Sequence, residues 1–283
     1  MKASELAAKV KQAAAKEATH SFLLYGESKT GKTALAATLA KVPDINRVFW
    51  FDLENGSDTL FSDHVGLQPE HLEKIEIFKI QDTKQQPLAI LTVGKALTSA
   101  AGISLCDEHG RVDCPDCTKA KKPFSKFKLP DLTPRDVVVI DSGTQLGASA
   151  EAFITKDKPV EYKCSFNDYG EQGRLLHNIL STVQQATFCK FVVISHVISI
   201  GEGEDNKNAK DYPQIGTRNF SRNVAKYFGT VVYLERKMKQ HKAGSSTIYS
   251  SLCLTGSRWE LKFEDFKKLD FEEIFKARET VKS

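Results

Sequence analysis

Ser21-Phe22-Leu23-Leu24-Tyr25-Gly26-Glu27-Ser28-Lys29-Thr30-Gly31-Lys32-Thr33 decides the reading of this chain. Its last eight residues fill the phosphate-loop pattern G-x-x-x-x-G-K-[ST]. The apolar run before them reads as a buried strand. After them TALAATLAKV (33–42) carries apolar residues at helical spacing. Strand, glycine loop and helix in that order let backbone N–H groups converge on phosphate oxygens at the positive end of a helix dipole. Lys32 is placed to reach the β- and γ-phosphates and Thr33 to ligate Mg²⁺, with the whole loop from Gly26 to Thr33 cradling the phosphates. A nucleoside triphosphate is the ligand this implies.

Outward from the loop, apolar runs alternate with helical patterns, the signature of an α/β fold with a mostly parallel sheet flanked by helices. Strands are expected at 20–25, 47–53, 74–80, 136–141, 190–197, 230–234 and 247–254. Helices fit 32–42, 87–100, 145–155, 170–187, 221–227 and 263–276. Residues 1–20 read as an amphipathic helix with Leu6 and Val10 on one side, packed on the domain or used in a subunit contact. Two segments break the rhythm. One, 106–132, is polar, cysteine-bearing and rich in lysine; the other, 200–217, with Gly201, Gly203, Asn206, Asn208 and Pro213, reads as a long mobile loop.

The bulk numbers exclude more than they assert. At 283 residues, 41% hydrophobic and 27% charged, the composition is that of a soluble globular protein able to bury a full core. A net charge of +4 is too mild by itself to argue for nucleic acid. No 18-residue apolar run is present, so no membrane partner is expected, and residues 1–20 lack the apolar core of a secretory signal. That places the chain in the cytoplasm, and its six cysteines include a tight cluster that argues for metal over disulfides.

Three further strands carry candidate chemistry. Asp136-Val137-Val138-Val139-Ile140-Asp141-Ser142 is a buried strand ending in a carboxylate, where Asp141 can hold Mg²⁺ through water or else cap the next helix. Val48-Phe49-Trp50-Phe51-Asp52-Leu53-Glu54-Asn55 offers Glu54 as the base that orients and deprotonates water, with Asp52 in support. The simpler alternative is that one of the two caps a helix starting near Ser57. Phe191-Val192-Val193-Ile194-Ser195-His196 ends in polar residues, of which Ser195 or His196 could touch the γ-phosphate, although a lone histidine is more often an ordinary hydrogen-bonded residue.

The series GESKTGKT (26–33), FWFDLEN (49–55), VVVIDSGT (137–144) and FVVISH (191–196) resembles the RecA-like recombinase ATPase fold. Tyr169-Gly170-Glu171 before a long helix, and Gly216-Thr217-Arg218-Asn219-Phe220-Ser221, resemble its phage-encoded branch, the Sak-type ATP-binding partners of single-strand annealing and recombination. The resemblance implies Glu54 as base, ATP and Mg²⁺ as cofactors, single-stranded DNA as ligand and a homo-oligomeric ring or filament. It also implies a single-strand-binding protein as a companion and a bacterial or phage-infected cell as the setting. Where bacterial recombinases carry Gln after the fourth strand, this chain has Ser195-His196.

Cys106-x₂-His109-x₄-Cys114-x₂-Cys117 presents four ligands for one structural Zn²⁺, in a segment with almost no apolar core of its own. Cys189 and Cys253 read as core residues, and Cys164 is a lone cysteine. Lys119, Lys121, Lys122, Lys126 and Lys128, interleaved with Phe124 and Phe127, suit a nucleic-acid backbone and base stacking, or else form a solvated linker. By position the two DNA loops of the family would be 154–168, with Lys156, Lys158, Tyr162 and Lys163, and 199–217. The second is not basic, since Glu202, Glu204, Asp205 and Asp211 outweigh Lys207 and Lys210. Arg218, Arg222, Lys237 and Lys239 are candidates to reach a neighbour's nucleotide.

The organisation expected is an N-terminal helix at 1–19, an ATPase core at 20–100 and 133–262, a zinc-binding basic insertion at 101–132 and a C-terminal helix at 263–283. The function expected is a Mg-dependent ATPase coupled to single-stranded DNA in recombination, annealing or replication. The alternative is an ATP-gated annealing or loading module with negligible hydrolysis, acting with a partner protein.

Overall fold

A computed structural model of the chain describes residues 21–63, 65–201, 209–240, 246–257, 270–272 and 274–275, with side chains left out over 236–240 and 246–257. The expected helix over 1–19 and most of the one over 263–283 lie outside the described residues.

The first half of the chain lays down β1 (Ser21–Gly26), α1 (Lys32–Ala37), β2 (Arg47–Asp52), α2 (Pro69–Leu72), β3 (Ile75–Lys79) and α3 (Leu88–Thr98). The insertion follows as β4 (Ile103–Cys106), α4 (Pro115–Lys119) and β5 (Phe124–Phe127). The second half supplies β6 (Asp136–Asp141), α5 (Gly143–Thr155), α6 (Phe166–Gln185), β7 (Lys190–Ile200), β8 (Lys210–Pro213), α7 (Arg218–Asn223), β9 (Thr230–Gln240) and β10 (Ser246–Ser257).

The large sheet runs β10-β9-β1-β7-β6-β2-β3, with β8 paired to β7. Every neighbouring pair from β9 to β3 is parallel, and β10 and β8 are added antiparallel. The strand alternation explains why the sheet is covered on both faces. Leu23 and Tyr25 join one apolar core with Phe49, Val138 and Val193, while Phe22 and Leu24 join the other with Leu35, Trp50 and Val192. The chain leaves β1 for β2, three places away, and later recrosses to β9 on its other side. That reversal opens a crevice at the carboxyl ends of β1, β7, β6 and β2.

Element ends moved for identifiable reasons. Helix α5 starts at Gly143, two residues early, because the Ser142 hydroxyl accepts the Gln145 N–H at 3.2 Å. Helix α6 starts at Phe166 because Ser165 and Asp168 form a capping box. Helix α1 is shorter than expected, passing at Thr38 into a 3₁₀ turn, Thr38–Lys41.

Two expectations need correction. The segment 200–217 is not all loop: residues 210–213 pair with 197–200 as an antiparallel hairpin arm extending β7, although 202–208 lie outside the described residues. The insertion is not core-poor. Ile103, Leu105, Phe127, Leu129 and Leu132 are buried in the main core. Phe127 meets Phe49, Phe51 and Phe78 edge-on at 5.4, 5.1 and 6.0 Å, contacts worth about 1 kcal/mol each beyond area burial. The insertion is thereby docked on the sheet rather than tethered to it.

Candidate active site and metal cluster

The phosphate loop crosses the carboxyl end of β1. Gly31 has φ 90°, which needs glycine, and a Cβ on Gly26 would lie 2.2 Å from the Leu234 carbonyl oxygen. Lys32 folds into the loop, its ammonium donating to the carbonyls of Gly26 at 2.9 Å and Glu27 at 2.6 Å. Burial lowers its pKa, against the pull of the Asp141, Glu54 and Glu27 charges.

Strand β7 separates β1 from β6, yet Thr33 and Asp141 meet across it. The Thr33 hydroxyl donates to Asp141 Oδ2 at 3.0 Å. Asp141 is buried, and burial raises its pKa to about 7, with Glu54 and Asp52 adding to the rise and Thr33 opposing it. A divalent cation between Thr33 and Asp141 would remove that cost, so the pair fits a Mg²⁺ site.

Strand β2 stops at Asp52, so Asp52 and Glu54 part company. The Asp52 carboxylate accepts the N–H groups of Gly56 and Ser57 at 3.0 Å each and caps the 3₁₀ turn Ser57–Phe61. Glu54 turns instead toward the crevice. One carboxylate oxygen accepts the Ser142 hydroxyl, and the other lies 3.4 Å from His196 Nε2. Burial alone would raise its pKa, but the hydrogen bonds from His196 and Ser142, with the nearby charges of His196 and Lys32, bring it below the ordinary glutamate value.

His196 stands between this carboxylate and the phosphate loop, its Nδ1 3.5 Å from Ser28 Oγ. Its neighbour Ser195 is differently used: the hydroxyl donates to the carbonyls of His196 at 2.8 Å and Gln214 at 3.1 Å. Of the two candidates at this strand exit, His196 contacts the loop and Ser195 fastens the hairpin arm. The sequence reading missed Ser142 and Thr144. Thr144 Oγ1 accepts the His196 N–H at 2.8 Å. Their signal was a serine directly after a strand carboxylate, at the position of a helix cap.

The second cluster lies in the insertion. Ligand atoms of Cys106, His109, Cys114 and Cys117 all fall within 4.8 Å of one another, and the three sulfurs are buried and unbridged. Tetrahedral zinc with sulfur ligands calls for roughly 3.8 Å between them, so these residues can hold a zinc ion. The Cys117 backbone N–H pulls the Cys114 thiol down to about 7, while burial and the neighbouring sulfurs push Cys117 up to about 12. A bound cation would relieve that crowding of thiols.

The model of the family described as AAA domain matches residues 18–258. The chain belongs to this AAA domain family. It is a nucleotide-binding P-loop ATPase built on a mostly parallel sheet flanked by helices. No curated protein matches this AAA domain chain. Among solved structures it is similar to the RadB recombinase, at 14% identity and a TM-score of 0.44, over 87% of this chain and 84% of that one. It is similar to flagellar accessory protein FlaH from Methanocaldococcus jannaschii, at 10% identity and 0.41, over 84% and 78%. A prototypical ATPase from the type III secretion system of pathogenic bacteria gives 12% and 0.40, over 76% of this chain and 51% of that one.

The remaining candidates divide by exposure. Lys156 and Lys158 lie over the Phe153 and Tyr162 rings at 4.9 and 5.3 Å, on the loop between α5 and α6. Beside them Val160 is 84% and Phe166 92% exposed. Arg218 and Arg222 are exposed on α7. Lys237 and Lys239 stand on β9, but their side chains lie outside the described residues. No described helix is long and apolar enough to cross a membrane.

Proposed function

We propose that this ATPase hydrolyses Mg·ATP with Glu54 as general base and couples the cycle to single-stranded DNA. The observation that carries the reading is Glu54 held by Ser142 and His196, with its carboxylate kept ionised beside the phosphate loop. An ionised, fixed carboxylate at that place can orient water in line with the γ-phosphate and take its proton. Thr33 and Asp141 would hold Mg²⁺, which neutralises charge on the phosphate oxygens. Lys32 and the loop amides from Gly26 to Thr33 would bind the β- and γ-phosphates. His196, touching both Glu54 and Ser28, would register whether the γ-phosphate is present and pass that to the hairpin arm through Gln214, whose N–H it accepts at 2.8 Å.

The DNA part of the reading rests on the loop 156–165. Lys156, Lys158 and Lys163 with exposed Tyr169 and Phe166 combine phosphate contacts with stacking surfaces, the pattern suited to single strands. The lysines of the insertion, with zinc at Cys106, His109, Cys114 and Cys117, would add a second basic strip. The sequence resemblance to Sak-type annealing partners supports a setting in recombination or replication in a phage-infected or bacterial cell, with the chain acting as a ring or filament.

Steady-state ATP turnover with and without single-stranded DNA tests both halves. Glu54→Gln should lose about 100-fold or more of kcat while still binding nucleotide. Turnover indifferent to DNA and to Glu54→Gln sinks the proposal.

A further inference from the structure

The first turn of α5 fastens the exits of three strands. Ser142 donates to Glu54 beyond β2. Thr144 accepts the backbone N–H of His196 on β7 at 2.8 Å. Gln145 donates its side-chain amide to Asp82 Oδ2 beyond β3 at 2.9 Å. The other oxygen of Asp82 accepts the Ala89 N–H and the Ser149 hydroxyl, both at 2.9 Å, so this carboxylate is fixed on all sides.

The Cys/His module is seated on that same β3 exit. A Cβ on Gly110 would lie 2.3 Å from the Lys79 carbonyl oxygen, 2.9 Å from Ile80 Cα and 3.2 Å from the Gln81 nitrogen. The knuckle between His109 and Cys114 therefore rests on the backbone that leads into Asp82. The Ile80 N–H also donates to the Asp52 carbonyl at 2.9 Å, tying the stretch to the end of β2, two residues before Glu54.

We propose that the Cys/His module is a strut for the hydrolytic carboxylate. With a zinc ion bound it fixes the β3 exit, and Asp82, Gln145 and Ser142 carry that constraint to Glu54, so the ion governs turnover rather than nucleotide binding. This rests on Glu54 as base and on zinc in the cluster. Four ligands give the knuckle a defined shape only when one ion draws them together. Misplacing a catalytic group by about 1 Å costs up to about 100-fold in rate. Asp82, Gln145 and Ser142 make no hydrogen bond to the phosphate loop among the described residues, which leaves nucleotide affinity outside the relay. Asp82 and Gln145 are on this account positioning residues.

Two variants of the full chain test it. Cys114→Ser/Cys117→Ser removes the ion, and Gly110→Ala keeps all four ligands but forces the knuckle off residues 79–81. Each is assayed for zinc content, kcat, affinity for a fluorescent ATP analogue and amide exchange over residues 79–83. Both should lower kcat by about 10-fold, change nucleotide affinity less than about 2-fold and speed exchange at Ile80. Asp82→Asn should lower kcat alone and add little to the cysteine pair, since the two act through one set of contacts. If the cysteine pair does not fold, Gly110→Ala decides. Unchanged kcat and exchange in a zinc-bearing Gly110→Ala chain, or additive losses in the combined variant, overturn the strut. Glu54→Gln in the same assay separates the two readings: if it keeps turnover, the base assignment has failed and the strut falls with it.

Discussion

Ser142 donates its hydroxyl proton to the carboxylate of Glu54 across a separation of 88 residues. The same oxygen accepts the Gln145 N–H and so begins α5. One side chain therefore starts a helix and holds the candidate base, which joins a local folding signal to chemistry at the crevice.

Ser142→Ala should separate those two duties. The lost cap costs about 1 kcal/mol of unfolding free energy. The freed carboxylate should cost a further fall in kcat of about 10-fold, with nucleotide affinity kept. Urea unfolding beside single-turnover kinetics checks it. A stability loss with full kcat would show that Ser142 serves only the helix.

His196→Ala should move the acid limb of the pH–rate profile. Burial pushes the Glu54 pKa up and the His196 hydrogen bond is the largest effect holding it down, so removing the imidazole raises it. The acid limb of kcat/KM should then shift to higher pH. The stability sign agrees. A depressed carboxylate contributes stability that is present above about 4.3, its unfolded value, and lost as pH falls through its lower native value. The variant should accordingly lose less stability than the parent on going from pH 5 to pH 3.

Arg47→Ala tests the far end of the sheet. Arg47 grips Asp136 with two bonds of 2.9 Å, and Asp136 is buried at the start of β6. Burial raises the Asp136 pKa, but the hydrogen bond from Arg47 and those from Thr133 bring it below the ordinary value. Leaving that carboxylate with Thr133 alone should cost about 2 kcal/mol at pH 7. The gap between parent and variant should close as pH falls below about 4, where the pairing is lost in both. Chemical denaturation at pH 7 and pH 3 measures it.

Zinc analysis of the purified chain should find one equivalent, released on Cys114→Ser/Cys117→Ser. Zinc retained by that variant would exclude this cluster as its site.

Replacing Lys156, Lys158 and Lys163 together with Ala should weaken single-stranded DNA binding and flatten its salt dependence, by up to about 2 in the log–log slope. Phe166→Ala should weaken binding by about 1–3 kcal/mol without touching that slope, because stacking releases no counterions. Titrations at several salt concentrations distinguish the two losses.

Particular residues show where sequence reading stops. The phosphate loop and the cluster of Cys106, His109, Cys114 and Cys117 were legible because spacing along the chain sets their geometry directly, and Asp141 was a candidate because it ends a buried strand. Spacing left open which of Asp52 and Glu54 would cap the helix near Ser57: β2 ends at Asp52, and it is Asp52 that turns back to accept the Gly56 and Ser57 N–H groups. The apolar anchoring of the insertion was also hidden, because Phe127 finds its partners Phe49, Phe51 and Phe78 on strands far away in sequence.

The sequence by itself determined that a phosphate loop opens a helix, that buried strands alternate with helices, and that four soft ligands share one short knuckle. These are local properties, fixed by residue type and period. Only the tertiary structure decided that Glu54 faces Ser142 and His196, that Asp141 reaches Thr33 across β7, and that Gly110 sits on the backbone of residues 79–81. Those meetings depend on strand order in the sheet, which long-range burial sets and no window of sequence contains.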